Sequence, residues 1–263
     1  MKRCTYLLTA LLLWGVLTVP AGAARRSVPV QADGKAVTSA AYVEQGVTYV
    51  PLRALLTALG GWEVWWDSGN GQAAAASQSG SLRADPAANT VTVSGRTLPG
   101  RVTVERGVTY VPLRLVCEAL GCRVEWDPYL GGAAVTSPGA AYDAGELYWL
   151  ARIIYAESGG ESITGQIAVG NVILNRVKSS QFPDTVEGVI FDRKDAVQFE
   201  PVGNGRIYQT PSAQSVEAAK RALDGENVVG SALYFYAPAL SQGTWINANC
   251  TYQQTIGCHR FYL

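Results

Sequence analysis

Histidine is almost absent: the 263 residues contain one, His259. That excludes a multi-histidine copper, zinc or iron centre and leaves a histidine-based triad a single place to stand. Charge is sparse, at 16% of residues, and neither sign is in excess, since Lys+Arg and Asp+Glu both number 21. Nothing in that balance points to a polyanion, so no nucleic-acid partner is expected. Against these absences, 48% of the residues are apolar, enough for a real core and too many for a disordered tail protein. The length fits one or two domains. No metal or other cofactor is expected.

The chain opens with Lys2 and Arg3 ahead of an apolar run from Leu7 to Val19, and Ala21-Gly22-Ala23 follows. A basic start, a run too short to span a bilayer comfortably and small residues after it read as an export signal over 1–24. An uncleaved anchor is the alternative. Cys4 precedes the run, so it is not a lipoprotein acceptor. The expected location is secreted and cell-wall associated. Export permits disulfides among Cys117, Cys122, Cys250 and Cys258. Cys250 and Cys258 flank a short segment and are a candidate staple for a hairpin. Cys117 and Cys122 lie too far apart along a helix unless Gly121 turns the chain back, and two buried thiols are the equal alternative.

The first half is organised by a repeat. Gly46-Val47-Thr48-Tyr49-Val50-Pro51-Leu52-Arg53 recurs 61 residues later as Gly107-Val108-Thr109-Tyr110-Val111-Pro112-Leu113-Arg114, and 11 of 15 positions agree between Gly46–Gly60 and Gly107–Gly121. Each copy runs on to a Trp-Asp pair, Trp66-Asp67 and Trp126-Asp127. Such self-similarity marks two copies of one supersecondary unit. Val-Thr-Tyr-Val alternates as a half-buried strand, Pro suits a helix start and Gly a helix stop, so each unit reads as strand, strand, short helix, strand or two. Tyr49 and Tyr110 read as core residues rather than sugar-stacking ones. These residues resemble the copper amine oxidase N-terminal, or stalk, domain over 27–136. With no histidine before 259, a copper site there has no plausible ligands. The resemblance leaves a spacer or a wall-associating role for this half.

Ser137 to Tyr142 reads as a breaker-rich linker, after which 143–263 has a different texture and is expected to fold and act on its own. Asp143 and Glu146 form a capping-box-like helix start, and Leu147, Leu150, Ala151 and Ile154 mark an apolar stripe. The stripe leads to Glu157, just before Ser158-Gly159-Gly160 ends the helix. A carboxyl against an apolar wall at the negative end of a helix dipole has its pKa raised, from about 4.3 toward about 6, as a general acid for a glycosidic oxygen requires. The bland alternative is a frayed last turn with its glutamate in water. The next segment, Gly165 to Val177, is apolar on nearly every face, so Gln166, Asn171 and Asn175 need partners inside.

Leu150-Ala151-Arg152-Ile153-Ile154-Tyr155-Ala156-Glu157, Gly165 to Val177, Gln198-Phe199-Glu200-Pro201, Tyr208, Ala232 to Tyr236 and Gly257-Cys258-His259-Arg260-Phe261 together resemble the SleB-type cell-wall hydrolases, the spore cortex-lytic enzymes. The resemblance covers essentially all of 143–263, with Cys258 where the family usually has Asn. The fold it implies is α+β overall: a small repeated α+β stalk followed by a lysozyme-like, mainly helical catalytic domain with a β-hairpin lobe. The activity it implies is cleavage of the β-1,4 bond between N-acetylmuramic acid and N-acetylglucosamine in wall or spore-cortex peptidoglycan, whose glycan strands are the expected partner. The family's catalytic glutamate falls on Glu157. A lytic transglycosylase needs one carboxyl, whereas most glycosidases use two. A hydrolytic muramidase would need Glu161 or Asp195 to place a water, and a wall-binding protein without turnover is the third alternative.

Glu161 reads as a complement to the next helix's N-terminus. Gln198, Tyr208, Tyr234, Tyr236, Glu161 and His259 complete the candidate substrate contacts. Gln198 would meet an N-acetyl group and the tyrosines would stack on sugar rings, while a plain strand is the alternative for Tyr234 and Tyr236 and a structural role the alternative for His259. Thr210 with Pro211 reads as a helix cap and first turn.

Overall fold

The computed structural model describes residues 25–37, 40–194 and 197–263; the export segment expected over 1–24 and Asp195 lie outside the described residues. Three short strands open the N-terminal domain: β1 (Arg26–Ser27), β2 (Val30–Ala32) and β3 (Lys35–Ala36). The first repeat then builds β4 (Tyr42–Glu44), β5 (Val47–Pro51), helix α1 (Leu52–Leu59), β6 (Glu63–Asp67) and β7 (Gln72–Ser77). Strands β8 (Gly80–Asp85), β9 (Thr90–Val93) and β10 (Arg96–Pro99) extend it as a meander. The second repeat follows the same plan with β11 (Thr103–Glu105), β12 (Val108–Pro112), α2 (Leu113–Ala119), β13 (Arg123–Asp127) and β14 (Gly132–Thr136).

The hairpin of each repeat turns through a pair with positive φ, Gln45-Gly46 at 52° and 78° and Arg106-Gly107 at 50° and 79°. Two such residues match the right-handed twist of the strands they join. The repeats then meet edge to edge: β5 and β12 pair antiparallel with Val50 opposite Val111 and Pro51 opposite Tyr110, so each strand sees its own counterpart. The helices close the space beneath, burying Leu52, Leu55 and Leu56 from α1 and Leu113, Val116 and Cys117 from α2. Tyr49 is buried as expected and stacks on Tyr42 with ring centroids 5.3 Å apart.

Gly121, at φ 78°, does turn the chain back after α2, and the Cys122 amide donates to the Cys117 carbonyl at 2.8 Å. Both side chains are buried thiols hydrogen-bonded to each other, which holds the Cys117 thiol well above its ordinary pKa. The candidate staple between Cys250 and Cys258 is not formed. Cys258 lies in the turn of a hairpin and Cys250 beyond the far end of its first strand, so five extended residues, roughly 16 Å of chain, separate them.

The C-terminal domain is mainly helical: α3 (Ala144–Ser158), α4 (Ile163–Lys178), α5 (Val186–Ile190), α6 (Glu200–Asn204), a 3-10 turn over Arg206–Tyr208, and α7 (Ala213–Leu223). Strand β15 (Tyr234–Tyr236), helix α8 (Thr244–Asn249), and strands β16 (Tyr252–Ile256) and β17 (His259–Tyr262) complete it, with sheet order β15-β17-β16. The architecture is thus α+β, a β-rich N-terminal domain followed by a helical one. Asp143 caps α3 by accepting from the Gly145 and Glu146 amides. Helix α7 starts later than expected: Ser212, not Thr210, accepts from the Ser215 amide, and Pro211 stays outside the helix.

Helix α3 is buried well beyond the single stripe its periodicity announces. Trp149, Leu150, Ile153 and Ile154 are all fully enclosed, because α4, α5 and α7 surround the helix and β14 of the N-terminal domain closes it further. Of the polar residues of α4, Gln166 donates to the Glu161 carbonyl and accepts from the Ser215 hydroxyl, and the two asparagines take the loop after α7 as their partner. Asn171 donates to the Glu226 carbonyl and accepts from the Val228 amide, and Asn175 donates to the Gly230 and Ala232 carbonyls.

The segment 137–142 is strapped down rather than free. Ser137 donates through its amide and hydroxyl to Asp33, and the Tyr142 hydroxyl donates to Asp224. Leu130, in the turn between β13 and β14, packs into the core of the C-terminal domain. The halves therefore share an interface that the linker's composition does not announce.

Candidate active site

Glu157 sits in the last turn of α3, where Gly159 ends the helix and Ser158 turns its hydroxyl back to the Ile154 carbonyl at 2.9 Å. The side chain is partly buried. Burial pushes its pKa up to about 7, against the opposing pull of Arg206 and with a smaller push from the Glu200 carboxylate. The physical cause is the one the apolar stripe implies: an anion loses hydration here without gaining a close partner. Glu157 thus holds its proton near neutrality.

Arg206 and Glu200 are charged neighbours of Glu157 that sequence reasoning passed over. Arg206 donates from Nη2 to the Ala156 carbonyl at 3.0 Å, which fixes the 3-10 turn against the end of α3. Glu200 opens α6 and is held by Asn204, whose Nδ2 donates to Oε1 at 3.3 Å. The signal for Glu200 was in Gln198-Phe199-Glu200-Pro201. Arg206 lay outside every motif.

Glu161 faces elsewhere. Its carboxylate accepts from the Cys258 amide at 3.3 and 3.4 Å, and it hydrogen-bonds the Cys258 thiol, tying the β16–β17 turn to the start of α4. Gly257 in that turn has φ 57°, and a side chain there would collide with the Glu161 carboxylate. The cap of α4 is Ser162, which accepts from the Gly165 amide, so Glu161 clamps the hairpin rather than the helix.

The tyrosines divide. Tyr208 is exposed at the end of the 3-10 turn. Tyr234 is half-buried beside Trp245 and Phe182, with Arg176 over its ring and over those of Phe182 and Phe199. Arg176 donates from Nε to the Leu233 carbonyl at 2.7 Å, and burial lowers its pKa to about 10. Tyr236 does not reach the surface as a stacking residue. It is 9% exposed, lies against Gly243, and shares Asn247 with the Tyr262 hydroxyl, so it pins α8 to the sheet. His259 is likewise buried, with its ring against Phe235, and burial lowers its pKa. Gln198 is exposed in the approach to α6.

A raised carboxyl does not by itself mark a site. Glu187 is also pushed up to about 7, by burial and by Asp127, Asp143 and Glu146, yet it lies at the junction of the domains. A cavity of about 560 Å³ lies in the N-terminal domain, between α1, β6 and the turn before β12, but no acid lines it. The copper of the stalk family's name does not fit either. That domain has no histidine, and among the described residues no three His, Cys, Asp or Glu side chains are grouped to hold a metal.

Comparison with known proteins agrees with this division. The cell wall hydrolase family profile matches residues 160–262, and the copper amine oxidase N-terminal domain profile matches residues 31–132. The first match begins three residues after Glu157. A spore cortex-lytic enzyme of Bacillus cereus is 41% identical over 105 residues, which are 40% of this chain and 39% of that protein. Another from Oceanobacillus iheyensis is 37% identical over 131 residues, 50% of this chain and 46% of that protein. Among solved structures, the catalytic domain of a germination-specific lytic transglycosylase, SleB, from Bacillus anthracis is 38% identical, with 48% of this chain and 99% of that one covered at a TM-score of 0.43. Residues 160–262 thus carry a cell wall hydrolase domain, and residues 31–132 a copper amine oxidase N-terminal-like domain. The chain spans about two fifths to one half of these curated relatives.

Proposed function

We propose that the protein cleaves the β-1,4 bond between N-acetylmuramic acid and N-acetylglucosamine in peptidoglycan as a lytic transglycosylase, with Glu157 as its catalytic acid and base. The observation that carries this reading is a partly buried carboxyl at the end of α3 that keeps its proton to about pH 7. The protonated Glu157 gives its proton to the glycosidic oxygen as the bond from that oxygen to the muramic C1 breaks. The N-acetylglucosamine side leaves with a free 4-hydroxyl. The carboxylate left behind then takes the proton from the muramic C6 hydroxyl, whose oxygen bonds to C1 and closes a 1,6-anhydro ring. The proton taken equals the proton given, and no water is consumed.

Arg206 supports the second half of this cycle. Its charge favours the carboxylate form, while Glu200 favours the protonated one, so the pair balances Glu157 between its two states. The expected export segment and the family of the C-terminal half support work outside the cell, at the wall or the spore cortex. Mass analysis of the fragments released from purified sacculi and from cortex tests the reading. Anhydro-muramic ends that vanish in Glu157→Gln are expected. Reducing ends instead would mean hydrolysis. Retention on sacculi with no release would mean a binding protein.

A further inference from the structure

The contacts that begin at Glu157 do not stop at the edge of the C-terminal domain. Arg206 opens the 3-10 turn, the buried Ile207 anchors it, and Tyr208 is left 54% exposed. The Tyr208 ring stands edge-on to Trp149, 5.9 Å between centroids at 80°, and its hydroxyl donates to the Tyr129 carbonyl at 3.4 Å. Tyr129 belongs to the other domain, in the turn between β13 and β14. Its ring stacks on Phe191 at 4.1 Å and 6° and is still 40% exposed.

Packing alone accounts poorly for Tyr129. The first repeat makes the same turn after Asp67, whose Oδ1 accepts from the Asn70 amide, as Asp127 Oδ1 accepts from the Leu130 amide. At the position of Tyr129 the first repeat has Gly69, so the turn itself requires no aromatic ring. Beneath, Trp149 and Asp127 already close the junction out of reach of solvent. The two tyrosines next to them are each still partly exposed to water. An uncharged surface with an apolar face and polar tips suits a sugar ring, whose C–H face stacks and whose hydroxyls hydrogen-bond. Trp149, Ile153 and Glu157 recur every four residues along α3, so this surface flanks the helix about 12 Å from the acid.

We propose that Tyr129 and Tyr208 form one sugar-stacking platform for the glycan strand, so that the stalk domain supplies a substrate contact to the catalytic domain. The proposal rests on the glycan-cleaving reading above. It gives the second repeat a part in binding the strand that is cut, and the first repeat none at this position.

Steady-state cleavage of solubilised glycan strands by the mature chain tests it. Tyr129→Ala should raise KM about fivefold on long strands, the scale of one aromatic contact, with kcat within about twofold. Tyr129→Phe should restore it, and fragments too short to bridge about 12 Å should show no difference. A KM unchanged in Tyr129→Ala, or raised equally on short fragments, would overturn the proposal. So would a loss that Tyr129→Phe does not repair, which would place the contact on the hydroxyl and not on the ring face. Binding of long strands to Glu157→Gln, with and without Tyr129→Ala, reads the platform independently of turnover. Equal affinities there refute the platform, whereas a wild-type chain that binds strands about fivefold better than Tyr129→Ala but never cuts them refutes only the cleavage reading.

Discussion

The indole Nε1 of Trp149 donates to Oδ2 of Asp127 at 2.7 Å, joining the core helix of one domain to the second repeat of the other. Its counterpart in the first repeat spends the same carboxylate locally: Asp67 Oδ2 accepts from Asn70 and from Arg83. Asp127 is buried and Oδ1 also accepts from the Tyr129 and Leu130 amides at 2.9 Å. One residue therefore shapes the turn and secures the domain that the turn enters.

Asp127→Ala should therefore destabilise the chain far more than Asp67→Ala. It leaves the Trp149 N–H buried without an acceptor and removes the support of the turn, a loss of about 2–4 kcal/mol. For a chain of this size the thermal midpoint should drop by roughly 5–10 °C. Equal midpoints for the two alanine variants would show that the domains are held by other contacts.

Glu187 offers a pH test at the same junction. Its folded pKa, about 7, lies above the ordinary 4.5, so between those values the folded state binds a proton that the unfolded state does not. Stability from this group is complete below about pH 4.5 and is lost as pH rises through 7. Glu187→Gln should thus raise the midpoint at pH 8, by a free energy on the order of 1–2 kcal/mol, and change little at pH 4. A variant less stable than the wild type at pH 8 would contradict this, and calorimetry at the two pH values decides it.

Local features of this molecule were legible in the chain and distant ones were not. The 61-residue repeat foretold two equivalent hairpin–helix units, and Asp143 and Gly159 bounded α3, because turn and cap geometry is decided within a few residues. Gln166, Asn171 and Asn175 announced a polar demand, though not that the loop 226–232 would meet most of it. Arg206 and Tyr129 carried no pattern at all. Their roles come from contacts across 50 or more positions, between Arg206 and Ala156 or Tyr208 and Tyr129, which no local periodicity encodes. For Tyr236 the sequence left both readings open: alternation in Tyr234-Phe235-Tyr236 separates two faces, and α8 covers the one that would have met solvent.

The two glutamates near the end of α3 should separate cleanly. Glu161→Gln keeps an acceptor for the Cys258 amide and removes only the charge, so the β16–β17 turn should stay in place. Cleavage of sacculi should remain within about tenfold of wild type, since no proton transfer is lost. If Glu161→Gln abolished release while Glu157→Gln left it largely intact, the acid would be the wrong residue.

The pH dependence of turnover follows from Glu157. The reaction starts from the protonated acid, so the rate should be sustained below about pH 7 and fall as pH rises through it. Replacing Arg206 by Gln removes the charge that favours the carboxylate, and the descending limb should move to higher pH. Replacing Glu200 by Gln removes an opposing anion, and the limb should move lower, by a smaller step. Glu157→Gln should reduce turnover by about 10²–10⁴ below about pH 7, with binding to sacculi nearly unchanged. The same substitution should make the protein more stable at pH 8, because the buried charge that costs the folded state above pH 7 is gone. A Glu157→Gln variant that is inactive and also less stable at pH 8 would indicate that its carboxylate is satisfied in the fold, and that its raised pKa has another origin.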